Sequence, residues 1–77
     1  MILTDGVHLV SDKDWSELHK FANKIGLRSR WFHKKNPNHP HYDLTTNRKL
    51  KKALSEGAIQ VNSKELIRIM KEAGLWT

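Results

Sequence analysis

The chain has no cysteine, which excludes disulfides, thiolate metal sites and thiol nucleophiles together. At 77 residues it lies near the lower size limit for a domain that folds without such staples, so packing must hold it. Long hydrophobic runs are also missing. Met1-Ile2-Leu3-Thr4 meets Asp5 at once, leaving no signal-peptide core and no membrane span, and the expectation is a cytoplasmic protein of a bacterium or a phage-infected host cell. There is no glycine-rich phosphate cradle, and no repeat, linker or low-complexity tract. Nucleophilic catalysis has little support, because no serine has a histidine–acid pair beside it in sequence. Paired carboxylates are scarce too, with Asp5 and Asp43 the only acids outside the expected helix faces and caps.

Acid is rarest in the middle third. From Arg28 to Lys52 there are eight Lys or Arg against one acid, Asp43, whereas the remainder has six bases and seven acids. The net charge of +6 therefore sits in one segment. Clustered basicity draws phosphates and other anionic surfaces, and its long-range part weakens with salt. A solvated helix face explains Arg48, Lys49, Lys51 and Lys52 equally well.

What is present reads as alternating strands and helices. Ile2–Thr4 and Val7–Val10 are short β-prone pieces divided by Asp5-Gly6, a dipeptide that closes a hairpin or ends a strand. Trp15, Leu18, Phe21, Ala22 and Ile25 recur at helical spacing, with Ser11 as expected cap, Asp14 as its capping-box partner and Gly26 as stop. Arg30–His33 reads as a strand. Thr45 or Thr46 opens a second helix, 47–56, with Leu50, Ala53 and Leu54 on its apolar side. Ala58–Val61 is a further strand, and Asn62 caps a third helix with Leu66, Ile67, Met70 and Ala73 inward. The expectation is one α/β domain spanning residues 1–77, with three helices and a three-stranded parallel or mixed sheet. In such sheets ligands gather beyond the carboxyl ends of the strands.

The segment from Arg28 to Leu44 carries the chemistry-bearing residues. Arg28 and Arg30 offer forked donors for phosphate oxygens, Lys34 and Lys35 add point charge, and Trp31 and Tyr42 are candidates for stacking on a base. His33, His39 and His41 supply groups that donate to phosphate or shuttle protons near neutral pH. Pro40 keeps His39 extended, so His39 and His41 project to the same side and could grip one divalent metal. Asp43 would lie roughly 13 Å beyond His39 on a straight strand, so a bend is needed before all three could act together. Each also has a duller explanation. Tyr42 could buttress the proline turn, Asp43 could cap the next helix, His19 sits at the edge of an apolar stripe, and Trp15 and Trp76 suit core and terminal packing.

Several stretches form a familiar pattern: His8-Leu9-Val10, Glu17-Leu18-His19 with Phe21-Ala22, Ile25-Gly26-Leu27, Trp31-Phe32, His39-Pro40-His41-Tyr42-Asp43-Leu44 and Gly57-Ala58-Ile59-Gln60-Val61 with Lys64-Glu65-Leu66. From His8 to about Met70 the chain resembles a small domain-of-unknown-function family of bacteria and tailed phages. The resemblance implies one compact α/β domain, with His8, His19, His39, His41 and Asp43 at positions of the family pattern. Members of that family carry adjacent acids at the end of the first strand, where this chain has Asp5 alone, and often glutamine where it has His33.

The leading expectation is a module that binds a phosphate-bearing ligand, nucleic acid or nucleotide, through His8, Arg28, Arg30, Trp31, His33, Lys34, Lys35 and Tyr42. The alternatives are a small metal-dependent hydrolase or phosphoesterase using His39, His41 and Asp43, and an adaptor gripping an acidic protein surface. No cofactor is required by the sequence, and a divalent metal at His39 and His41 is the one that fits.

Overall fold

The computed structural model describes residues 1–33 and 39–77. Two strands, β1 (Ile2–Thr4) and β2 (His8–Ser11), pair antiparallel with Leu3 opposite Val10, so Asp5-Gly6 does close a hairpin. Gly6 takes the turn at φ +98°, and the Asp5 carboxylate accepts from the amides of Val7 (3.0 Å) and His8 (2.8 Å). This is the local turn chemistry that makes aspartate common in loops. The third strand, β3 (Tyr42–Asp43), adds antiparallel to β2, and the fourth, β4 (Ile59–Gln60), adds parallel to β1. The sheet is mixed and four-stranded, in the order β3-β2-β1-β4.

Period-two alternation sends neighbouring side chains to opposite faces. Ile2 and Leu9 enter one core with Leu18, Ala22 and Ala53, while Leu3 and Val10 enter another with Leu66, Met70 and Trp76. Helices α1 (Trp15–Lys24) and α2 (Asn47–Ser55) thus cover one face and α3 (Ser63–Glu72) the other. Burying a side chain such as Leu9, fully covered here, is worth roughly 1.5–3 kcal/mol. Among the described residues no helix is long and apolar enough to cross a membrane.

Several expectations change in detail. The α1 cap is Asp14, which accepts from the Glu17 amide at 2.7 Å, rather than Ser11. Ser11 instead accepts from the Lys13 and Asp14 amides and donates to Glu17. Thr46 caps α2, so Asp43 is released from that role. On α3 the inward set is Leu66 and Met70, with Ile69 partly buried, while Ile67 is exposed. Trp15 is 45% exposed and meets the edge of Phe32 instead of entering the core.

Arg30–His33 is not a strand. Ser29–Trp31 makes one 3-10 turn, closed by the Trp31 amide on the Arg28 carbonyl (2.9 Å), and only His33 forms a bridge, to His41. The turn lets Phe32 reach the partly buried cluster it forms with Tyr42 and His19. Tyr42 then takes the strand position, opposite Leu9 in β2.

Candidate metal centre

The strand directions assemble the site. β1, β3 and β4 run one way and β2 the other, so the carboxyl ends of three strands and the amino end of β2 share one rim. Asp5 follows β1, His8 opens β2, Asp43 ends β3 and Ser63 follows β4. Pairing places His8 directly opposite Asp43.

Two carboxylates organise the imidazoles. Asp5, whose side chain is only 3% exposed, accepts from Ser63 Oγ at 2.9 Å and meets His8 Nδ1 at 2.9 Å. Burial pushes the Asp5 carboxyl up, but hydrogen bonds from the His8 amide and ring, the Val7 amide and Ser63 outweigh it and hold the group well below the usual carboxylate range. Asp5 is therefore a fixed anion, and with it His8 Nδ1 carries the proton, leaving Nε2 as that ring's remaining donor atom. His41 is set the same way by a different group. Its Nδ1 donates to the His39 carbonyl at 2.6 Å, and its Nε2 lies 3.0 Å from Asp43 Oδ1. The other Asp43 oxygen meets His33 Nε2 at 3.0 Å. The His8 and His41 rings meet edge to face with centroids 4.8 Å apart, and His33 stacks on His41 at 4.9 Å.

Donor atoms of His8, His41 and Asp43 all lie within 4.8 Å of one another. Ion–ligand bonds of about 2.0–2.2 Å put ligand atoms roughly 3–4 Å apart, so closing on a divalent cation takes about 1 Å of side-chain movement. Two imidazoles and one carboxylate suit several divalent metals and leave coordination positions open. Histidines bound to metal characteristically donate their second nitrogen to a carboxylate or a backbone carbonyl. Both arrangements are present here, at Asp5 and at the His39 carbonyl.

Of the residues expected at the site, His8, His33, His41 and Asp43 come together. His39 is not among the three grouped donor residues. Its ring packs edge-on against Trp76 with centroids 5.1 Å apart, and the Trp76 indole donates to the Pro40 carbonyl at 3.1 Å. Strand pairing of β2 with β3 brings His8, rather than His39, beside His41 and Asp43. Tyr42 is fully buried, its hydroxyl 2.7 Å from His19 Nδ1, so it belongs to the core and offers no face for stacking. His19 accordingly has the structural role its position suggested. Trp31 is 44% exposed, and Arg28 and Arg30 are exposed. Lys34 and Lys35 lie outside the described residues.

Two cavities flank the cluster. One, of about 290 Å³, is lined by Asp5, His8, His39, His41, Trp76 and the α3 side chains Ser63, Leu66 and Ile67. The other, about 450 Å³, is walled by Arg30, Trp31, Phe32, His33, Asp43 and Thr45. Sequence reasoning missed Ser63 and the role of Asp5. The legible signal for Asp5 is an aspartate three residues before a histidine across a glycine turn, where carboxylate and imidazole fold back onto each other.

No curated protein and no solved structure matches this chain. A family model described as "Protein of unknown function (DUF4031)" matches residues 5–73, a span that holds Asp5, His8, His33, His41, Asp43 and Ser63, and the chain belongs to that family.

Proposed function

We propose that His8, His41 and Asp43 hold a divalent cation at the sheet rim, and that this ion, with Arg30 beside it, receives the phosphate of a phosphate-bearing ligand. The observation that carries the reading is the paired setting of the two histidines. In each, Nδ1 is engaged by an acceptor outside the trio, which makes Nε2 the nitrogen for a metal, and that of His41 already lies 3.0 Å from Asp43, the third member of the set. An ion with open positions binds phosphate oxygens, and a forked guanidinium adds oriented donors. The basic segment from Arg28 to Lys52 supplies attraction at longer range.

The test is calorimetric titration of the full chain with Zn²⁺ and Mn²⁺. His8→Ala and His41→Ala should each weaken binding by tenfold or more, while His39→Ala stays within about threefold of the parent, consistent with the ligand counts such sites need. Absence of binding up to millimolar metal refutes the reading, and equal losses in His39→Ala and His8→Ala would return the site to the proline turn. Inorganic phosphate should then bind the metal-loaded chain more tightly than the metal-free one.

A hydrolytic role rests on His33. Its side chain is 53% exposed and its Nε2 lies 3.0 Å from Asp43, so Nδ1 is the nitrogen that would accept a proton from a water activated by the ion. Phosphate release from p-nitrophenyl phosphate by the Mn²⁺-loaded chain, lost in His33→Ala with metal affinity kept, is the expected result for this second reading.

A further inference from the structure

The cavity on the Arg30 side of Asp43 has no part in holding the ion, yet it has the features of a binding site. At about 450 Å³ it falls within the range of small-molecule sites, about 300–1,000 Å³. Trp31 and Phe32 give it aromatic lining, and Trp31 is 44% exposed. Among the described residues the Arg30 guanidinium has no hydrogen-bond or ion-pair partner, whereas Arg68 is held between Glu65 and Glu72. The same cavity is lined by Asp43, a ligand of the proposed ion, and by His33.

We propose that this cavity takes the base and sugar of a single nucleotide, with the base against Trp31 and the phosphate between Arg30 and the ion at Asp43. The phosphate end rests on the function proposed above; the base end stands on the cavity alone. A planar ring suits the indole because stacking on an aromatic face tolerates any base. The Arg30 guanidinium in the same lining fits the negative part of such a ligand.

A lone nucleotide fits better than a nucleic-acid strand, because among the described residues several of the basic side chains on α1 and α2 are turned to partners within the protein. Lys49 Nζ donates to the Ile25 and Gly26 carbonyls at 3.1 and 3.4 Å, closing the end of α1. Lys24 and Lys52 both face Glu56. The α2 charge that looked like an extension of the phosphate surface is therefore partly engaged within the protein, whereas the Arg30 guanidinium, without a partner among the described residues, stands at one half-open cavity.

The experiment titrates the full chain, metal-free and Mn²⁺-loaded, with adenosine and guanosine 5′-monophosphate, ribose 5-phosphate and inorganic phosphate. At least one nucleotide should bind about tenfold more tightly than ribose 5-phosphate. Trp31→Ala should remove that preference, Trp31→Phe should keep most of it, and Arg30→Ala should weaken all phosphates together. Both side chains are exposed, so an unchanged amide spectrum identifies variants that remain folded. Base preference that persists when no metal binds supports the cavity while refuting the ion. Metal and phosphate binding without base preference, or a preference unchanged in Trp31→Ala, overturns the inference and leaves the ion standing. A ten-nucleotide single strand that binds more tightly per nucleotide than the monomers also overturns it, in favour of a polymer.

Discussion

Replacing Asp5 by asparagine exchanges one carboxylate oxygen for an amide NH₂ while keeping the shape of the side chain. Oδ1 still accepts from the Val7 and His8 amides. The change falls on Oδ2, which serves Ser63 Oγ and His8 Nδ1, both at 2.9 Å. The serine hydroxyl can turn and accept instead. His8 can keep a hydrogen bond only by accepting at Nδ1, which moves its ring proton to Nε2, and a protonated Nε2 cannot bind a cation. Hydrogen bonds to charged groups contribute about 1.5–3 kcal/mol and neutral ones about 0.5–1.5, so two altered bonds cost about 2 kcal/mol. For a domain of this size that lowers Tm by about 8–16 °C. Metal affinity should fall about 10–100-fold, the range for groups that orient a metal-binding histidine. Calorimetry with Zn²⁺ at neutral pH, on a variant whose amide spectrum shows it folded, measures this. An affinity within about threefold of the parent refutes the assignment of Asp5 as the group that sets His8.

The same carboxylate gives a pH dependence in the metal-free chain. Its folded pKa lies below its unfolded value, so its contribution is complete above about pH 4 and is lost as pH falls further, by at most about 1.4 kcal/mol per pH unit; chemical denaturation between about pH 2 and 5 should show a shallower acid limb in Asp5→Asn. Trp76→Phe leaves the Pro40 carbonyl without its buried donor and should cost about 1–3 kcal/mol by thermal unfolding, with a several-fold loss of metal affinity as the His39–His41 turn loosens. Gly26→Ala should cost about 1–2 kcal/mol, because φ is +86° and the new Cβ would stand 2.8 Å from Lys49 Nζ, forcing that side chain off the carbonyls it holds. Metal affinity should fall steadily on acidification in a calorimetric series, since imidazole and carboxylate ligands must shed protons to bind.

Local chemistry was legible from the sequence wherever a residue's neighbours decide its state. The three helices, their glycine stops and the role of Asn62 as cap follow from spacing and capping alone, and Asn62 does accept from the Glu65 amide. The mistaken strand at Arg30–His33 shows the limit. A short aromatic run has the same composition in a strand and in a 3-10 turn, and the choice depends on Phe32 meeting rings outside its own segment, Trp15 and His19 on α1 and Tyr42 on β3. The site was half legible for the same reason. His41 and Asp43 stand in one distinctive motif, but exchanging His39 for His8 depends on the pairing of β2 with β3, and no local pattern encodes that register. Tyr42 misled because an aromatic beside histidines and prolines reads equally as a binding face or as a core anchor.

The two halves of the cluster come from opposite sides of a long excursion, His8 from the opening hairpin and His41 with Asp43 from β3, with α1 and its following turn between them. An ion shared by these segments would tie the first hairpin to the sheet's far edge, the service a disulfide performs in secreted miniature proteins and one this cysteine-free chain must obtain otherwise. Loading at a hundred times the dissociation constant would add about 2.7 kcal/mol to the folded state. For a domain this small, that would make metal supply in the cell a determinant of how long the chain survives proteolysis.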